Sequence, residues 1–363
     1  MKANRLSIFA LSALIVLSFS SCRKDEPKAT EEPKVPEDVV LKTGFYVLNQ
    51  GAMGTNKASL DCFDYVSGTY KNNVFDPSVT LGLGDTGNDA KVYGGKLYIT
   101  VNGSNLVEVA DASTAKHLAS ITINSCRYVN FYNGKVYVTS YNGFNNGYVS
   151  EIDTTSLTVT RKCTVSVCPE EMAFAGTKMY VAHVGDYDHG YSKKLSVIDM
   201  STFTETKQID VALNMSKVRP TADGKLLINS LGNYYDVSGS LVVFDPMSET
   251  VVKSFDIPVY GLDIYNGKCY CFTQEYDESW NTTYRFYTID LATYALGGSP
   301  ITDGTEKEMQ NPSNIAIDSR NGNFYVCDAA DYVTPGTVTC YSSAGKKQWT
   351  KTAGDIPYAI AFK

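Results

Sequence analysis

His183-Val184-Gly185-Asp186-Tyr187-Asp188-His189 brings two imidazoles and two carboxylates into one short stretch, a donor set that could hold a divalent cation. The spacing matches no ordered metal-site template, so the stretch reads as a solvated loop. The third histidine, His117, falls on an expected outer strand. A metal-assisted lyase reaction would have to be built from His183 and His189 alone. The chain has no Ser-His-Asp order, no phosphate-binding loop and no paired-cysteine motif. Leu83-Gly84-Asp85-Thr86-Gly87 is glycine-rich but leads into a strand, so it lacks the helix N-terminus a phosphate cradle needs. Neither catalysis nor a resident cofactor or metal is expected.

Richer chemistry lies in a set of rings and amides: Asn102, Tyr141, Asn142, Phe144, Asn145, Tyr187, Asn233, Tyr234, Tyr235, Tyr276, Trp280 and Tyr332. They come from loops over 102–105, 141–146, 183–191, 233–238, 274–283 and 328–335, with 49–56 as a seventh. Tyrosine offers large contact area at low entropic cost, and asparagine adapts its hydrogen bonds, which is how antibody paratopes are composed. Turn chemistry alone accounts for the Asn and Gly but not for so many rings. The set reads as a binding face for a small ligand, the rings giving apolar contact and the amides pairing with a polar rim. The same loops could instead grip a partner protein, in a protein-interaction or surface-layer module.

These loops need a scaffold that brings them to one end, and the repeat supplies it. Asn133-Gly134 starts an alternating strand, Lys135-Val136-Tyr137-Val138-Thr139; after a loop, Tyr148-Val149-Ser150-Glu151-Ile152 follows and ends in Asp153-Thr154-Thr155-Ser156. Alternation bounded by Gly and Asn marks a β-hairpin. The terminal Asp recurs at Asp64, Asp111, Asp199, Asp245 and Asp290, with a degenerate seventh copy at Tyr341-Ser342-Ser343-Ala344-Gly345. All-β units repeating at roughly 40–50 residues are propeller blades. The expected fold is therefore all-β: a seven-bladed β-propeller of four-stranded antiparallel blades. Its blades are expected over 45–75, 88–123, 127–165, 171–211, 216–257, 260–301 and 313–352. Blade one lacks an innermost strand before Phe45, whereas Pro357-Tyr358-Ala359-Ile360-Ala361-Phe362 has that pattern and no blade of its own. It is expected to close the ring, since an open inner edge would otherwise remain. The first-to-second-strand turns, such as Tyr93-Gly94-Gly95 and Tyr265-Asn266-Gly267, are tight, and their face is expected to hold little.

Residues 1–21 have a basic head and an apolar run too short to span a bilayer, the pattern of a secretory signal. Cys22 follows small residues, as in a bacterial lipobox, and is the expected lipidation site. Residues 22–40 form a Pro/Glu/Lys tether, expected to be disordered, and 41–363 the propeller domain. Membrane attachment would be by the lipid anchor only. The net charge is −7 and no basic block stands out, so nucleic acid is not an expected partner. Of nine cysteines, eight remain after Cys22. Cys62, Cys269, Cys271, Cys327 and Cys340 sit in strand patterns as apolar fillers; Cys163 and Cys168 are the nearest pair, and a disulfide between them is not favoured.

The repeat NGKVYVTSYNG…GYVSEIDTTSLTV resembles the YncE-like seven-bladed propellers. Blade one, GFYVLNQGAMGTNKASLDCFDYVSG, with LGDTGND and GGKLYITVNGSN, is similar to the surface propeller lipoproteins of gut Bacteroidetes. Lys24-Asp25-Glu26 behind Cys22 resembles their surface-export signal. One branch of that group captures cobalamin and passes it to an outer-membrane transporter. The resemblance, over 41–363, therefore implies a cell-surface, outer-membrane lipoprotein that binds cobalamin or a related corrinoid. Its implied partner is a TonB-dependent transporter. No motif of that branch assigns the contacts residue by residue.

Overall fold

The computed structural model describes residues 43–363 except 77, 81, 142, 144, 145 and 277–281. The expected signal, Cys22 and the tether lie outside the described residues. The described residues belong to one compact unit and form seven four-stranded antiparallel sheets plus a small hairpin, Gly185–Asp186 with Gly190–Tyr191. One short 3-10 turn, Thr305–Glu308, is the helical element among them, and none of their helices is long and apolar enough to cross a membrane.

The repeated Asp builds the turn between third and fourth strands. Asp111 Oδ1 accepts the amides of Ser113 and Thr114 at 2.9 Å, and Asp153 Oδ1 those of Thr155 and Ser156 at 2.9 Å. Asp199 and Asp290 do the same, an Asx turn repeated around the ring. These hydrogen bonds hold the carboxyls of Asp199 and Asp290 below the usual range.

Seven apolar clusters fill the spaces between neighbouring blades. One joins blades 1 and 2 through Tyr46, Leu48, Leu97 and Ile99; the last joins blades 7 and 1 through Tyr325, Val338, Phe45 and Phe63. The recurrent second-strand tyrosines Tyr46, Tyr98, Tyr180 and Tyr325 are buried in these seams, so blade stacking is the main hydrophobic term. Pro357–Phe362 pairs antiparallel with Gly44–Asn49, and Lys363 N donates to Gly44 O at 3.0 Å. The C-terminal strand therefore closes the ring. Phe45, Phe63, Tyr65, Tyr325, Trp349 and Phe362 stack at that seam with centroid separations of 4.6 to 6.4 Å.

The innermost strands are Pro357–Phe362, Gly87–Tyr93, Cys126–Tyr132, Pro169–Ala175, Met215–Pro220, Val259–Tyr265 and Pro312–Ile317. Each carries one extra residue near its start relative to its partner: the register shifts between Gly87 and Asp89, Cys126 and Val129, Pro169 and Met172, Met215 and Val218. The same shift follows Val259 and Pro312, and it bulges Tyr358 opposite Asn49. A bulge frees backbone amides and re-aims side chains. Buried second-strand groups take up the freed amides: Thr100 Oγ1 accepts from Asp89 N at 2.9 Å, Thr139 Oγ1 from Tyr128 N at 3.0 Å, and Asn229 Oδ1 from Lys217 N at 2.6 Å.

Candidate functional site

The bulges point charged and aromatic side chains at the axis. Blades 1, 3 and 5, which are not neighbours, meet there: Tyr358 OH lies 3.2 Å from Tyr128 OH and 3.2 Å from Lys217 Nζ. Glu171 sits beside this plug, gripped by both Nη atoms of Arg219, 3.6 Å from Lys217 Nζ and accepting from Val218 N at 3.1 Å. On the long-loop side of the plug Arg127 holds Glu170 through two bonds of 2.8 Å. Burial pushes the Glu171 carboxyl up, but Arg219 and Lys217 outweigh it and hold it at about 2. Glu170 is raised, because burial there outweighs Arg127.

From the plug a cavity of about 480 Å³ runs along the axis to the ends of the inner strands at Val92, Phe131, Pro220, Ile317 and Phe362. Those strand ends carry the tight turns, so the cavity extends toward the face expected to hold little. Asp89, Lys91, Asp263 and Arg219 form the charged wall, and blades 7 and 1 form an apolar one. Edge groups of the inner strands, which no further strand pairs, are met by side chains of the preceding blade. Asp89 Oδ2 accepts Val129 N at 3.0 Å, Asp263 Oδ2 accepts Ile317 N at 2.8 Å, and Asn130 Nδ2 donates to Met172 O at 2.9 Å.

Sequence reading passed over this axial set. Charges at alternate strand positions look solvent-facing, and only ring closure and the bulges turn them inward. A detectable signal was Glu170-Glu171 in a strand otherwise apolar, with Lys217 and Arg219 one repeat later.

The expected loop residues divide into four groups. Tyr187, Tyr234, Tyr235 and Tyr332 are 56, 58, 81 and 45% exposed, and Tyr191 packs edge-on against Tyr234 at 5.9 Å. Asn102 and Tyr141 lie inward: Asn102 Nδ2 donates to Cys126 O at 3.1 Å, and burial raises the Tyr141 hydroxyl beside Arg127. Asn233 is engaged inside its own loop, Oδ1 accepting the amides of Tyr235, Asp236 and Val237 and Nδ2 donating to Asp236. Asn142, Phe144, Asn145 and Trp280 lie outside the described residues, as does the side chain of Tyr276. The expected 274–283 loop is shorter than read, since strands Lys268–Tyr276 and Thr282–Asp290 pair as far as Tyr276 opposite Thr282.

His183 is a core residue. It is fully buried, with Nδ1 2.7 Å from Val167 O and Nε2 2.7 Å from Ser196 Oγ, and burial holds its pKa at about 4. His189 bonds Asp186 at 2.9 Å, and His117 lies 3.0 Å from Glu108 on an outer strand. The described residues contain no group of three or more His, Cys, Asp or Glu placed to hold a metal ion. Their eight cysteines are all buried free thiols, including Cys163 and Cys168.

Seven antiparallel blades, a plugged axis and a strand borrowed from the C-terminus define a seven-bladed β-propeller of the type solved from Bacteroides species. Residues 43–273 match the family described as Domain of unknown function (DUF5074), and the chain belongs to that family. Among solved structures, it is similar to a quinonprotein alcohol dehydrogenase-like protein of Bacteroides thetaiotaomicron (15% identity, TM-score 0.63, 90% of this chain and 79% of that one). It is similar also to a candidate 6-phosphogluconolactonase of Bacteroides fragilis (11%, 0.62, 89% and 98%) and to Kuenenia stuttgartiensis hydrazine synthase (16%, 0.58, 71% and 76%). At such identities the likeness shows the fold alone. No curated protein sequence matches the chain.

Proposed function

We propose that this protein is a binding propeller rather than an enzyme. In this reading it is held to the outer membrane at the cell surface by a lipidated Cys22. Its long-loop end captures a broad, amide-rimmed ligand, with cobalamin or a related corrinoid favoured, for delivery to a TonB-dependent transporter. The observation that carries the reading is where the exposed rings lie. Every exposed aromatic side chain among the described residues (Tyr187, Tyr234, Tyr235, Tyr260 and Tyr332) belongs to blades 4 to 7 and stands at the long-loop end or at the inner-strand start beside it. A planar macrocycle suits such rings, which bury large area with few rotors. His183 is withdrawn from acid–base chemistry, since both of its nitrogens are engaged in the core.

A protein partner is the second reading, favoured by Met53, Val237 and Val333, which are 81, 45 and 74% exposed at the same end. Calorimetric titration with cyanocobalamin separates the two. Saturable binding is expected, with Tyr234→Ala or Tyr235→Ala weakening it about thirtyfold, the effect of losing ~2 kcal/mol at a hot spot. Met247→Ala, on the opposite face and 95% exposed, should change nothing. Absence of heat at micromolar protein would refute the corrinoid; equal losses from both faces would refute the placement.

A further inference from the structure

Three carboxylates around the axis repeat one device. Asp89 of blade 2 accepts Val129 N of blade 3 at 3.0 Å, Glu171 of blade 4 accepts Val218 N of blade 5 at 3.1 Å, and Asp263 of blade 6 accepts Ile317 N of blade 7 at 2.8 Å. Two of the three are matched by cations. Asp89 has Lys91 at 3.6 Å, and Glu171 has Lys217 at 3.6 Å and both Nη atoms of Arg219. Among the described residues, Asp263 joins no ion pair. The six charges that line the cavity cancel in total but not locally, since two cations share Glu171 while Asp263 has none.

The two poles are neighbours. Arg219 pairs with Leu227 and Asp263 with Tyr270, equivalent second-strand positions two residues past Lys225 and Lys268. Adjacent blades therefore set the two charges at one level of the ring, and both residues line the cavity. Both can be reached: the Arg219 side chain is 26% exposed and Asp263 is part-exposed, whereas the Lys217 side chain, 4% exposed, is not. Both have capacity left. The Asp263 oxygens accept one amide each, from Ile264 and Ile317, of the roughly four bonds a carboxylate can accept. Arg219 engages Nη1 with Glu171 and Val218 O and Nη2 with Glu171, which leaves its Nε–H. At the same level blades 7 and 1 carry Ala316 and Ala361, opposite Tyr325 and Tyr46, so the far side is small and apolar.

We propose that this cavity is a second binding site, for a small zwitterion of the amino-acid class whose ammonium meets Asp263, whose carboxylate meets Arg219, and whose apolar side chain lies against Ala316, Ile360 and Phe362. The ammonium supplies the counter-charge Asp263 lacks, and its hydrogens enter lone pairs that the two backbone amides leave over. The carboxylate supplies a second anion to the two cations that share Glu171. The net charge of the wall stays at zero, whereas a plain amine or a plain acid would correct one pole and leave the cavity charged. A volume near 480 Å³ lies within the range of small-molecule sites. Burial raises the Asp263 carboxyl in spite of Arg219, in keeping with an acid short of a counter-charge.

The test titrates the protein with L-phenylalanine, using phenethylamine and 3-phenylpropanoate as counterparts that keep the shape but lack the carboxylate or the ammonium. Saturable binding of phenylalanine in about the millimolar range is expected for so small a molecule, at least tenfold tighter than either counterpart. Asp263→Asn should weaken it at least tenfold. Ala316→Phe, which fills the apolar side, should abolish it, and Ala316→Leu replaces that variant if it does not melt cooperatively. Cyanocobalamin should not displace phenylalanine, which keeps the outcome independent of the long-loop end. No saturable phenylalanine binding, equal binding of either counterpart, displacement by cyanocobalamin, or full binding by folded Asp263→Asn or a folded cavity-filled variant would each overturn the assignment.

Discussion

Glu171→Gln tests whether the axial charge cluster stabilises the ring or merely decorates it. Glu171 is 4% exposed and is the counter-ion of the buried Lys217 and the part-buried Arg219. Against an ordinary value of 4.5 its carboxyl titrates at about 2 in the folded protein. That difference corresponds to about 3 kcal/mol favouring the folded state, in line with the ~3–5 kcal/mol lost when one partner of a buried pair is removed. Because the folded value is depressed, this stability is fully present above about pH 4.5 and is lost as the pH falls toward about 2. An unfolding entropy of roughly 2 cal/mol/K per residue over about 320 residues turns 3 kcal/mol into a melting-point drop of about 4–5 °C near pH 7. Scanning calorimetry of wild type and variant from about pH 7 to about pH 3 reads it directly. The gap should narrow as Glu171 becomes protonated, and Glu171→Gln combined with Arg219→Met should recover part of the loss, since the stranded guanidinium is gone. A drop below about 1 °C, or a gap independent of pH, would refute the argument that Glu171 neutralises this cluster.

Deleting 357–363 strips Gly44–Asn49 of its inner partner and removes Phe362 from the aromatic seam, so it should cost several kcal/mol and give aggregates or a clearly lower melting temperature; unchanged melting would place closure elsewhere. His183, neutral and held at about 4 against 6.5 when unfolded, should make stability decline as pH falls from about 6.5 toward 4, and its imidazole NMR signals should show no titration step near 6.5. His183→Gln should flatten that part of the pH–stability curve. Cys22→Ala should abolish fatty-acid labelling and release the protein from membranes; retained label and retained attachment would exclude Cys22 as the anchor.

The ring was legible because its signals are local. An Asx turn needs an Asp whose carboxylate accepts the backbone amides two or three residues on, so Asp111, Asp153, Asp199 and Asp290 announce their blades directly. The closing strand was legible by subtraction, as a strand pattern without a blade. The axial cluster was not. Arg127, Glu170, Glu171, Lys217 and Arg219 gather at the axis only when seven strands converge and each gains an extra residue, and neither event leaves a mark at single-residue spacing. The long-loop rings were readable as a group, but their separate duties were not: Asn233 looks like any exposed amide until its oxygen is found capping three amides of its own turn.

The closing contact between Gly44 and Lys363 fixes an order of events for the chain. Blade one cannot be completed until the last residues exist, so throughout synthesis Phe45 and Phe63 lack Trp349, Tyr325 and Phe362, the rings that later cover them. Contacts so distant in sequence slow folding and lengthen the exposure of apolar strand edges. The seam therefore acts as a latch whose closing reports that every intervening blade is in place. Because the two ends touch, joining 363 to 44 through a short linker and opening the chain between blades 3 and 4 would turn the latch into an ordinary hairpin. Such a permutant should refold faster at unchanged final structure, and the wild-type order would be revealed as one that delays commitment until the ring can be whole.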